Sequence, residues 1–274
     1  MAVTGVGLNL AVTAAATLLA VVATFGIALR RGRYDTVDTF WGLGFVFVAV
    51  ETFVLSGTQA GAGDLALRIT VTALTLVWGL RLAVHLHLRN HGVAEDPRYV
   101  AMAQRAGERP AAKIFVRVYL VQAAVLWLVS LPVQFAQYGG GFGVTAWIGV
   151  LVWLTGFTFE TIGDEQLRRF RADPRTKGTV LDTGLWRYTR HPNYFGDACV
   201  WWGLYLLACG TWAGAATILA PLAMTYTLAR GTGKPLLEKG LERTRPGYAD
   251  YVKRTSGFVP LPPRRTVTPP SSRR

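Results

Sequence analysis

Seven apolar runs, joined by connections that alternate between arginine-rich and arginine-free, constrain this chain more than any other feature. They occupy residues 6–29, 40–56, 65–86, 114–134, 143–162, 194–208 and 211–229. A bilayer core takes about 20 consecutive apolar residues as helix, so each run is read as a spanning helix. The sixth is short and gains length only by borrowing from residues 186–192 or by entering at an angle. Cys209-Gly210 then turns directly into the seventh. No basic segment precedes the first run, and it is too long for a signal-peptide core, so it too is expected to remain as a span.

The connections fix an expected orientation, because Lys and Arg gather on the cytoplasmic side. The first connection carries Arg30, Arg31 and Arg33, and the third carries Arg89, Arg98, Arg105, Arg109 and Lys113. The fifth runs from Arg168 to Arg190 and is the most basic of all. The second, fourth and sixth, around Gly61, Gly140 and Gly210, carry none, with Arg68 alone near the second. The pattern predicts an all-α, polytopic helical bundle of about seven transmembrane helices, N-terminus outside and C-terminus cytoplasmic, in a bacterial-type cytoplasmic membrane. Residues 1–260 read as one membrane domain. Residues 261–274, rich in Pro, Ser and Arg, read as a disordered basic tail.

Composition agrees with this reading. The chain of 274 residues is 51% hydrophobic and only 16% charged, against about a quarter charged in soluble domains. A net charge of +13 would point to nucleic acid in a soluble protein. Here the positive-inside pattern accounts for it, and no nucleic-acid partner is expected. Cys199 and Cys209 offer neither metal spacing nor a disulfide framework, so no metal site is expected. Oligomeric state is not legible.

Polar groups within a bilayer are expensive and tend to face a cavity or each other. Asp35 and Asp38 open the second run. Arg81, His85 and Arg89 recur at i, i+4, i+8 on one face of the third, and Glu160, Asp164 and Arg168 repeat that spacing at the end of the fifth. Taken singly, such groups serve as helix-end charges and snorkelling side chains. As a set they outline a polar cavity open to the cytoplasm. Glu51 stands apart, about twelve residues into the second run and roughly 18 Å along its helix, where an ionised carboxylate needs a partner. It reads as a proton donor, a substrate anchor or a polar contact between helices.

The richest stretch is DTGLWRYTRHPNYFGDACVWWGLY at residues 182–205. Arg187, Arg190 and His191 can meet phosphate. Pro192 is expected to interrupt a helix and free backbone groups. Asn193 offers donors and an acceptor to a carboxamide or adenine edge, and Gly196 allows close backbone approach. An aromatic belt accounts for Trp201, Trp202 and Tyr205, but not for the ordered run from Arg190 to Asp197.

That run, TRHPNYFGD at residues 189–197, resembles the NADPH-binding signature of the steroid 5α-reductase and sterol reductase superfamily. Four further stretches are similar to its bacterial branch, DUF1295. They are DTFWG at 38–42, the segment from Arg81 through Arg89-Asn90 to Glu95-Asp96-Pro97-Arg98-Tyr99, residues 160–170, and Arg245-Pro246-Gly247-Tyr248 through Tyr251. The resemblance implies NADPH contacts at Asn193 and Asp197, with His191 and Tyr194 in the same signature. It further implies polar and basic neighbours at Asp164, Arg168 and Arg171, a preceding strip at Arg187, Tyr188 and Arg190, and a closing segment at Tyr248 and Tyr251. The family's membrane Glu corresponds in place to Glu51. Where steroid reductases carry a Tyr, the third run offers His85 and His87.

The leading expectation is a membrane-bound, NADPH-dependent reductase of a carbon–carbon double bond in a steroid-, isoprenoid- or acyl-like lipid. His85, Glu51 and Asp38 are the candidate proton donors, and Trp78, Arg81 and Trp201 the candidate substrate contacts. A lipid methyltransferase of the isoprenylcysteine type shares a related RHPxYxG run and would use S-adenosylmethionine instead. A third reading is a non-catalytic lipid-binding membrane protein.

Overall fold

The computed structural model describes residues 2–231 and 233–264. Among these the architecture is helical, with no strand and one isolated bridge between Thr189 and Ser256. The helices are α1 (Ala2–Arg31), α2 (Thr36–Gly57), α3 (Leu65–Asn90), α4 (Pro97–Arg105), α5 (Pro110–Ala136), α6 (Val144–Ala172), α7 (Pro192–Ala208), α8 (Trp212–Ala229), α9 (Lys234–Thr244) and α10 (Tyr248–Arg254). Six of them, α1, α2, α3, α5, α6 and α8, are long and apolar enough to cross a membrane. The fold is the expected all-α polytopic bundle. Of the predicted tail, residues 265–274 lie outside the described residues.

The sixth apolar run differs from expectation. It folds as α7, 17 residues, roughly 25 Å at 1.5 Å per residue against a hydrocarbon core of about 30 Å. Residues Gly184–Arg187 form a 3-10 turn and lend it no length. Pro192 is the first residue of α7 rather than an interruption. Its missing N–H falls where a helix has no intrahelical partner for one. Conversely, α3 and α6 run on past their apolar stretches. The end of α6 is supported by Glu165, whose carboxylate pairs with Arg168 (2.6 Å, i,i+3) and Arg169 (2.5 Å, i,i+4).

Helix starts follow local chemistry. Asp64 caps α3 by accepting from the Leu67 N–H (3.0 Å), Asp96 caps α4 by accepting from Arg98 (2.8 Å), and Thr211 caps α8 by accepting from Gly214 (3.1 Å). Gly247, at φ 80°, turns the chain from α9 into α10, a conformation that favours glycine.

The chain divides into two compact units. The first comprises residues 1–150 and 203–220, the second residues 151–202 and 221–274. In the first, α2 and α3 touch backbone to backbone at Gly42 and Gly79, where a Cβ on Gly79 would lie 2.7 Å from the Gly42 carbonyl oxygen. Trp41, Phe45 and Trp78 form an edge-to-face series beside this crossing. Between α1, α2 and α5 runs a buried polar network. The Thr52 hydroxyl donates to Asn9 Oδ1 (2.8 Å), Asn9 Nδ2 donates to Gln134 Oε1 (3.3 Å), and Thr13 donates to the same oxygen (2.8 Å). Gln134 Nε2 in turn donates to Ser130 (2.9 Å). Such bonds hold helices together where lipid supplies no hydrophobic drive between them.

In the second unit α6 and α7 approach at Gly156 and Gly196, where a Cβ on Gly156 would fall 2.5 Å from the Gly196 carbonyl oxygen. The C-terminal segment runs beside residues 188–190. The Arg190 N–H donates to the Ser256 carbonyl (2.9 Å), the Thr189 hydroxyl to the Phe258 carbonyl (2.8 Å), and the Leu261 N–H to the Tyr188 carbonyl (3.0 Å).

Candidate functional site

The second unit contains a cavity of about 160 Å³. Its floor is apolar and aromatic, built from Leu167 and Phe170 of α6, Trp186, Tyr194 of α7, Leu237 and Leu241 of α9, and Tyr248 and Tyr251 of α10. Arg171, Arg190, His191, Asn193 and Arg245 supply its polar lining. The volume is below the roughly 300–1,000 Å³ of a complete small-molecule site, which fits one end of a large ligand.

Each wall is fixed by a specific bond. Trp186 donates its indole N–H to the Gly163 carbonyl (3.1 Å), and the Leu185 N–H donates to Gln166 Oε1 (3.0 Å), tying the 3-10 turn to α6. The Tyr251 hydroxyl donates to the Trp186 carbonyl (2.5 Å), which brings α10 against the same turn. Burial, first, raises the Tyr251 phenol well above its ordinary value, as it does that of Tyr248. Both therefore stay neutral walls. Asn193 donates Nδ2 to Asp164 (3.0 Å) and accepts the Tyr194 N–H at Oδ1 (3.0 Å). One N–H and one lone pair of its amide remain for a ligand.

Glu238 is the group that sequence reasoning missed. Its carboxylate accepts from Arg190 Nε (2.7 Å) and lies 3.0 Å from His191 Nε2. Burial alone would raise its carboxyl, but the hydrogen bonds from His191 and Arg190 outweigh that and hold it at about 2. Burial lowers His191 below its ordinary value, more than Glu238 raises it. The pair thus stands as a neutral imidazole beside a carboxylate at neutral pH, with the imidazole stacked on Tyr194 at 5.3 Å. The signal was present in α9, where Leu237, Glu238, Leu241 and Arg245 share one helix face at i, i+1, i+4 and i+8.

The expected cofactor residues divide. Arg171, Arg190, His191, Asn193, Tyr194, Tyr248 and Tyr251 line the cavity, and buried Asp164 orients Asn193. Asp197 lies in α7 outside the lining, with Oδ1 buried. Arg168 is 63% exposed and paired with Glu165, and Arg187 and Tyr188 are exposed outside the lining.

The candidate proton donors lie in the first unit. Asp38 accepts a hydrogen bond from the Tyr99 hydroxyl (2.7 Å) with Arg98 at 3.7 Å, which joins the stretches DTFWG and EDPRY. Burial, and then the Asp38 charge, raise the Tyr99 phenol. Half-buried Glu51 keeps one buried oxygen, Oε2, with no hydrogen-bond partner among the described residues. Two contacts set the α2–α3 register, Gly42 against Gly79 and the Phe53 carbonyl accepting from Arg68 (2.8 Å). Glu51 therefore lies at the level of residues near 70, and His85 some fifteen residues along α3, roughly 20 Å away. The two do not form a pair. Among the candidate substrate contacts, Trp78 and Trp201 are fully buried and Arg81 is half-buried.

Comparison with known proteins adds a family. The model of DUF1295, a protein family of unknown function, matches residues 24–255. An uncharacterised protein of Schizosaccharomyces pombe is 27% identical over 266 residues, covering 86% of this chain and 75% of that protein. Mouse 3-oxo-5-alpha-steroid 4-dehydrogenase 1 is 30% identical over 113 residues, 41% of each chain. Arabidopsis thaliana steroid 5-alpha-reductase DET2 is 29% identical over 115 residues, 42% of this chain and 40% of the reductase. The match thus spans about two fifths of each reductase. No solved structure matches the chain.

Proposed function

The chain belongs to the DUF1295 family, and from that premise we propose that it is a multi-pass membrane reductase of a carbon–carbon double bond in a lipid, using NADPH. The observation that carries the reading is the aromatic cavity around Asn193 and His191, formed by the segment that also carries the NADPH-type signature. The similarity to two steroid reductases supports the reaction class.

The residues present fit a nucleotide. Asn193, oriented by Asp164, retains amide capacity for a carboxamide or base edge, aromatic walls accept a flat ring, and the cations meet phosphate. When bound, NADPH supplies a hydride to one carbon of the double bond. A proton from the protein then goes to the other carbon. His85, Glu51 and Asp38 are its candidate sources. The protein's part is positioning and electrostatics. The basic connections support a cytoplasmic C-terminus and an outside N-terminus in a cytoplasmic membrane, an arrangement that requires the shorter α7 to cross beside the six longer helices, with residues 1–260 as the membrane domain. A reporter at Gly140 that behaved as cytoplasmic would overturn that topology.

The test is binding of NADPH and of S-adenosylmethionine to the detergent-purified protein, wild type and Asn193→Ala. NADPH is expected to bind the wild type and to bind the variant at least tenfold more weakly, about 1.4 kcal/mol. Binding of S-adenosylmethionine alone would transfer the site to methyl transfer. Binding of neither would point to a non-catalytic lipid-binding protein.

A further inference from the structure

Two of the three arginines in the cavity wall, Arg190 and Arg245, differ in what they can still do. Arg190 is 8% exposed and already engaged. Its Nε and Nη2 donate to Glu238, and its Nη1 to the carbonyls of Val252 (3.2 Å) and Thr255 (2.6 Å). Its charge is balanced by a carboxylate that would itself repel a phosphate. Arg190 ties the C-terminal segment to the start of α7 and is poorly suited to bind an anion.

Arg245 lines the same cavity from the end of α9. Its root is fixed: its own N–H donates to the Leu241 carbonyl (2.9 Å), and its carbonyl accepts from the Tyr248 N–H (3.2 Å). Its guanidinium, by contrast, makes no hydrogen bond or ion pair with any described residue. The side chain is half-buried beside the aromatic wall. A planar cation with a fixed root, an unengaged fork and a partly dehydrated setting is suited to a phosphate group.

We infer that Arg245, rather than Arg190, reads a phosphate in this cavity, an inference that rests on the nucleotide reading above. The phosphate is either the pyrophosphate common to both nicotinamide nucleotides or the ribose 2′-phosphate of NADPH alone. A cation at a helix C-terminus can also simply favour the helix. That role would change stability without changing the affinity for a nucleotide.

The experiment measures dissociation constants of NADPH and NADH for the full chain in detergent, in wild type, Arg245→Gln, Arg245→Lys and Arg243→Gln. Arg243 is exposed and outside the cavity wall, so its variant is the control. Arg245→Gln is expected to weaken NADPH at least tenfold, Arg245→Lys at least threefold, and Arg243→Gln less than twofold. If NADH weakens in parallel, the residue reads the pyrophosphate; if NADH is unchanged, it reads the 2′-phosphate. An NADPH affinity within twofold of wild type in Arg245→Gln overturns the inference and leaves the nucleotide reading intact. If that variant does not fold, an unchanged affinity in Arg245→Met, which keeps the stem and removes the charge, does the same. A wild type that binds neither nucleotide overturns both.

Discussion

Arg33 in the first unit and Arg190 in the second each hold a carboxylate largely shielded from water and reach across to backbone carbonyls, yet their surroundings differ. Arg33 grips Asp35 (2.7 Å) and donates to the Val93 carbonyl (2.7 Å), while Glu95 accepts from the backbone of Tyr34 and Asp35. The adjoining space is about 10 Å³, room for about one water. Arg190 grips Glu238 at the same shortest distance (2.7 Å), but beside about 160 Å³ of aromatic cavity, an amide with remaining hydrogen-bond capacity and the unengaged Arg245. A close ion pair is therefore not in itself a functional signal. The signal is volume next to groups that still have something to offer.

The sharpest way to break this comparison is to remove the carboxylate from each clamp. Glu238→Ala leaves the buried Arg190 uncompensated, at an expected cost of about 3–5 kcal/mol; Asp35→Ala leaves the partly exposed Arg33 within reach of water and costs less, and both are read as loss of thermal stability in detergent. Only Glu238→Ala is expected to weaken NADPH, by tenfold or more, because it also releases His191 and the α9 wall. Loss of NADPH affinity in folded Asp35→Ala would erase the distinction between the units.

A smaller effect separates glue from site within the first unit. Gln134→Leu removes the acceptor shared by Asn9 and Thr13. Leaving buried donors unpaired costs about 1–3 kcal/mol. The midpoint of thermal unfolding is expected to fall accordingly, with the NADPH dissociation constant within twofold of wild type. A tenfold change would place this network in the binding machinery.

These residues also show what the sequence could carry. Apolar length gave the helices, because a spanning segment has to be both long and greasy, and the TRHPNYFGD run marked one wall of the cavity. Boundaries were harder. Pro192 is compatible with either a kink or a first turn, and only the separate 3-10 turn at Gly184–Arg187 decides for the first turn. Arg190 looked like a phosphate ligand because it sits among Arg187 and His191 with no acidic residue within six positions; its partner Glu238 lies 48 positions away. Arg168 looked like part of the same basic strip, but a helix places Glu165 one turn before it. Asn9 and Gln134, buried partners 125 positions apart, carry no pattern in an apolar run. Charge pairing and polar pairing are non-local, so composition can locate the groups without saying which of them are already engaged.

The smallest expected effect tests the His191–Glu238 pair through pH. Burial sets His191 below its ordinary 6.5 in the folded protein, so the unfolded chain takes up a proton first as pH falls. Stability from this group is fully present above about pH 6.5 and is lost as pH falls from there through the lower folded value. Glu238 is depressed from 4.5 to about 2. Its contribution therefore holds above pH 4.5 and is lost only between 4.5 and 2. The two windows do not overlap near neutrality, so thermal midpoints between pH 8 and 5 report the histidine step, a fall as pH drops. The step is expected to vanish in His191→Gln and to persist in Gln134→Leu, whose lesion lies in the first unit. A step retained in His191→Gln would assign the titration to another histidine and leave the clamp around Glu238 insensitive to pH in this range.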